Sequence, residues 1–84
     1  MSLSYSNSIL NRTVQNLLVL IEEHLIAMQR DSHSPEFDSW KSEVDYLWKR
    51  VFENISLMDN KNQEKNLQNI KPAWMDYITH YQQP

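Results

Sequence analysis

Apolar residues recur along this chain at steps of three and four. Between about Ser6 and Arg30 they fall at Leu10, Val14, Leu17, Leu18, Ile21, Leu25 and Met28. That spacing gathers them on one helical face about 100° wide. Ser4, Ser6 and Ser8 each offer an N-cap hydroxyl, and Asp31-Ser32-His33-Ser34 ends the run.

A second helix is expected over about 35–58. Ser34 suits its N-cap and Pro35 its first position, and Glu36 and Asp38 favour the positive helix end. Its apolar face is Phe37, Trp40, Val44, Leu47, Trp48, Val51, Phe52, Ile55 and Met58. On the opposite flank Lys41, Asp45, Lys49 and Glu53 alternate in sign at four-residue steps, as on a solvated face.

The third segment is less regular. Residues 59–69 hold a single apolar side chain, Leu67, and read as a polar linker or as the weak start of a helix. Asn60 with Gln63 matches a capping box. Leu67, Ile70, Trp74, Tyr77, Ile78 and Tyr81 then share a helical face that runs across Pro72. The expectation is a helix over about 62–82, kinked at Pro72 or restarted there, with the unbroken apolar phase favouring the kink.

The four residues from Asp31 to Ser34 are a short connection, which makes the first two helices antiparallel neighbours. The predicted fold is therefore all-α: an antiparallel helical hairpin plus a third C-terminal helix, three-helix bundle-like, and completed by dimerisation. Two arguments carry the last expectation. A chain of 84 residues makes one domain and buries only about 60–65% of its unfolded surface, so a monomer is marginal. The first helix is also apolar beyond its main face. Val19 and Ile26 lie amid Asn11, Gln15, Glu22 and Gln29, while Ile9, Leu20 and Ala27 flank the other side. A helix apolar around much of its circumference is normally buried.

Composition removes whole classes of chemistry. There is no Cys, hence no disulfide, thiolate metal site or cysteine nucleophile. There is no Gly, against an average usage of about 7%. A phosphate-cradling loop, a dinucleotide-binding turn and a nucleophile elbow all need it, and tight hairpins favour it. The net charge of −3 is spread over both halves, which disfavours nucleic acid. The apolar run Leu17–Ile21 meets Glu22-Glu23-His24 at once, far short of a membrane span. The opening Met1-Ser2-Leu3-Ser4-Tyr5 has no basic region of the secretory kind, so the expected location is cytoplasmic.

Candidate reactive groups do not converge. His24, His33 and His80 make no i,i+4 pair, and no Glu-x-x-His motif occurs. No carboxylate sits inside an apolar stripe, where burial would tune it. No rigid turn presents a serine as nucleophile. The expectation is a protein that is not an enzyme, with no metal and no cofactor.

The remaining reading is a small protein–protein interaction module of the adaptor, inhibitor or assembly-factor type. Its partners would be itself and another protein. Val19, Leu20, Glu23 and Ile26 are the candidates for self-association. The chain has nine aromatics, seven of them on core faces, and Trp48, Phe52, Trp74 and Tyr81 are the candidates for partner contact. The alternative is a nucleic-acid-linked regulator using a helix pair. Lys41, Lys49, Arg50, Lys61, Lys65 and Lys71 would supply its charge, with acids interleaved among most of them.

Overall fold

In a computed structural model, residues 6–82 are described and form three helices: α1 (Asn7–Arg30), α2 (Phe37–Ser56) and α3 (Asn60–Tyr81). Ser4 and Tyr5 lie outside the described residues. α1 and α2 make the hairpin. α3 runs back antiparallel to α2 and so parallel to α1. The architecture is all-α and three-helix bundle-like, as the periodicity predicts.

Local chemistry sets the helix ends. The Ser6 hydroxyl caps α1 by accepting from the Ser8 backbone N–H at 3.1 Å. α2 starts two residues later than expected. Ser34 spends its hydroxyl on the Glu36 N–H and its carbonyl on the Phe37 N–H, which closes a turn ahead of the helix. α2 also stops two residues early. The N–H groups of Leu57 and Met58 bond to carbonyls only three residues back, tightening the last turn out of α-helical register.

The start of α3 corrects the expected capping box. Asp59, not Asn60, is the N-cap, its carboxylate accepting the Asn62 N–H at 2.8 Å. Gln63 reaches back instead over the end of α2 and donates to the Ser56 and Met58 carbonyls at 3.2 and 2.8 Å. Residues 60–69 are therefore helix and not linker. α3 continues through Pro72 rather than restarting there. Pro72 has no N–H for the Gln68 carbonyl, but both residues are exposed, so water can take that bond.

The core follows the predicted stripes. Leu10, Val14, Leu17, Ile21 and Met28 of α1 pack on Val44, Leu47, Val51 and Ile55 of α2. α3 contributes less apolar surface, with Ile70 and Tyr77 as its buried hydrophobic residues. Its attachment has two parts. Toward its C-terminal half, rings interlock. Trp74 meets both Trp48 and Phe52 edge-on at 5.1 Å, and Tyr81 lies between Tyr77 and Phe37. Such pairs contribute about 0.5–1.5 kcal/mol each beyond the area they bury.

At the N-terminal end the seam between α1 and α3 is polar. Asn66 is buried and donates to Asn11 Oδ1 at 2.8 Å and to the Asn62 carbonyl at 2.9 Å. The Asn11 amide donates to Asn62 Oδ1, and the Asn7 amide to the Asp59 carboxylate. Each side chain thus meets a partner across the seam, which removes the cost of burying it unpaired.

Asp45 stays exposed on the expected solvated flank but does more there than pair with a lysine. It pairs with Lys41 at 3.4 Å, as the spacing predicts. It also accepts the Tyr77 hydroxyl and, at 2.7 Å, the Gln82 amide. Asp45 therefore ties α2 to the end of α3. Burial, followed by the hydrogen bond to Asp45 and its negative charge, pushes the Tyr77 phenol above its ordinary value.

Two predictions follow from this seam and this clamp. Asn66→Ala strands Asn11 Oδ1 and should cost about 1–3 kcal/mol in urea unfolding. The loss should shrink when Asn11→Ala is already present, because the pair is then gone. The Tyr77 phenol is raised in the fold, so its contribution is whole below the unfolded value near 10 and is lost as pH rises through the folded one. The melting temperature should accordingly fall above about pH 10, and fall less in Tyr77→Phe.

Candidate interaction surface

α1 turns its main apolar stripe to the core and leaves other aliphatic side chains in water. Val19 is 56% exposed, Leu20 43% and Ile26 41%, with Ile9 and Glu23 also exposed. At about 100° per residue, Val19 and Ile26 point within about 20° of each other. Glu23 lies about 40° from Val19, and Leu20 about 100° from it on the same side. The four candidate self-association residues thus span about 120° of the helix rather than one narrow line. Val19 and Ile26 form its tight element, and Leu20 stands at the far edge.

The four candidate partner-contact residues have a different position. Trp48 is only 2% exposed and belongs to the core, while Phe52, Trp74 and Tyr81 are half-buried against it. Together they form the ring cluster that seats α3 on α2, and the packed-core reading describes most of their surface. Their exposed edges are what remains for a partner.

Sequence reasoning passed over a patch on the side of the hairpin away from α3. Ile9 of α1 and Leu57 beyond α2 flank a shallow cleft of about 280 Å³ that Arg50 also lines. The Arg50 guanidinium lies 6.0 Å from the ring centre of Tyr46, a residue that is itself exposed. Tyr and Arg are the types that carry binding energy at interfaces. Tyr46, Arg50 and Leu57 all fall outside the α2 apolar stripe, and that shared offset is the signal that finds them.

The histidines stay apart. His24 Nδ1 lies 2.8 Å from the Leu20 carbonyl, His80 pairs with Asp76 on α3, and His33 is exposed in the turn. Among the described residues, no three His, Asp or Glu side chains gather as a metal ion would require. No helix among them is long and apolar enough to cross a membrane.

Comparison with family models, with curated proteins and with solved structures gives no match.

The exposure of the α1 residues has a direct consequence for stability. Val19→Ala and Ile26→Ala should each change the monomer's unfolding free energy by no more than about 0.5 kcal/mol. Ile21→Ala, at a buried position of the same helix, should cost about 2–5 kcal/mol. Urea titration at low protein concentration separates the two classes.

Proposed function

We propose that this protein is a non-catalytic protein–protein interaction module that associates with itself through the outer face of α1. The observation that carries the reading is the exposure of Val19, Leu20 and Ile26 on a helix whose core-facing stripe is already filled. Three aliphatic side chains on about a third of one helix give an apolar strip with Glu23 within it. Each is already about half buried, so covering the rest would return about 1 kcal/mol apiece, and a two-fold axis beside α1 would bury both copies' strips at once.

A second partner of different sequence would then meet the side of the hairpin that carries Tyr46, Arg50 and Leu57. A ring and a guanidinium there suit a polar-rimmed, exchangeable contact better than a permanent one. In this reading the protein joins copies of itself to another protein, as adaptors, inhibitors and assembly factors do.

Light scattering over a concentration series tests the self-association. The expected mass is twice 10.1 kDa or more, falling to 10.1 kDa in the double variant Val19→Ala/Ile26→Ala. A wild-type chain that stays at 10.1 kDa throughout, or a double variant that associates as the wild type does, overturns the proposal.

A further inference from the structure

The exposed positions of α1 repeat as regularly as its buried ones. Ile9, Arg12, Asn16, Val19, Glu23 and Ile26 follow one another at alternating steps of three and four, and all six are exposed. At about 100° per residue they stay within about 100° of the helix surface, on the far side from the core stripe of Leu10, Val14, Leu17 and Ile21. The line drifts by about 20° every seven residues, as the seam of a coiled coil does.

Two charges stand in this line. Arg12 and Glu23 lie about 16 Å apart along α1, too far to pair within one chain. Among the described residues neither has an opposite charge within 4 Å, since the ion pairs present are Lys41–Asp45 and His80–Asp76. The shallow cleft beside Glu23 is lined by His24, Ala27 and Trp40 and holds no Lys or Arg.

A second α1, turned end over end about a point between Leu17 and Leu18, answers both charges. In that register Ile9 meets Ile26, Arg12 meets Glu23 and Asn16 meets Val19, each pair occurring twice about the axis. The alternatives are poorer. A parallel pair sets Arg12 on Arg12 and Glu23 on Glu23. Moving the antiparallel copy seven residues one way sets Arg12 against Arg30 and Glu23 against Val19. Moving it seven residues the other way carries Ile26 past the start of α1. A polar residue in the middle of the seam, here Asn16, costs stability and fixes register.

We propose that two copies of the protein pair antiparallel along α1 in this register, with Arg12 of each copy bound to Glu23 of the other and Ile9 packed on Ile26. The arrangement rests on the self-association proposed above and gives it a direction, a register and a charge pair that selects the chain's own copy. Glu23 then serves as an attachment point inside the apolar strip rather than as an interruption of it.

Sedimentation equilibrium of the full-length chain, at about pH 8 and about 0.02 M salt, reads the association. The wild type is expected to approach twice 10.1 kDa as its concentration rises. Glu23→Arg and Arg12→Glu each oppose like charges twice over and should each weaken association at least about tenfold. Both positions are exposed and both new residues are good helix formers, so the urea midpoint of the monomer should stay put. The two variants mixed in equal amounts should associate again, because each then faces its opposite. So should the double exchange Arg12→Glu/Glu23→Arg within one chain. Raising the salt to about 0.5 M should weaken the wild type and strengthen each single variant.

A wild type that stays at 10.1 kDa overturns this arrangement together with the self-association beneath it. A wild type that associates while the single variants do so equally well, as a parallel pair would allow, overturns the arrangement alone. Mixed variants that remain monomeric overturn it as well.

Discussion

All three helices converge at the Trp48 indole. It leaves α2, takes the edge of Trp74 and the flank of Tyr77 from α3, and lines the gap toward Leu18 and Leu25 of α1. A helix as polar as α3 has little aliphatic surface with which to hold on. The ring cluster around Trp48 replaces the missing leucines, because large rings bury much area at low entropic cost. The same size that lets one indole serve three helices also leaves its N–H beyond the reach of any acceptor described here. A smaller side chain would avoid the orphaned donor and lose the docking.

The two ends of α3 are held by different forces, and the difference sets specificity. Rings tolerate sliding, since their attraction is weakly directional. The asparagine ladder does not. Asn66 must find Asn11, and Asn7 must find Asp59, or several amides are stranded together. The ladder therefore fixes the register of α3 against α1, while the rings add the area that α3 buries against α2. This division explains how a third helix with only two buried hydrophobic residues packs in one arrangement.

The hairpin was legible because its signal is redundant. Seven apolar positions in α1, and eight in α2 with Met58 just beyond it, repeat the same period, and the buried residues of the hairpin are drawn from them. α3 was harder because much of what positions it is polar. Asn66 reads as a surface residue in a sequence, and its burial makes sense only once Asn11 is opposite. Asp45 likewise reads as half of a surface ion pair until the fold brings Tyr77 to it. The cap slipped by one residue because Asp59 and Asn60 are both competent caps, and only the position of Asn62 decides between them. The α1 strip was visible as excess apolar character. The Ile9–Leu57 cleft was not, since its residues lie far apart in sequence.

Asp59 has a wider reach than its role as a cap. α1 and α3 run parallel, so their N-terminal ends lie side by side, and each carries the partial positive charge of its aligned peptide dipoles. Two like ends repel. The Asp59 carboxylate lies between them, accepting from the Asn7 amide at the first turn of α1 and from the Asn62 backbone at the first turn of α3. Those hydrogen bonds, the Asn62 backbone first, hold its carboxyl below the usual carboxylate range. Its stabilisation is whole above the unfolded value near 4 and fades as the pH falls through the folded one. One proton would then cancel the counter-charge of two helices together. Acid would thereby loosen the tie between the neighbouring N-terminal ends of α1 and α3.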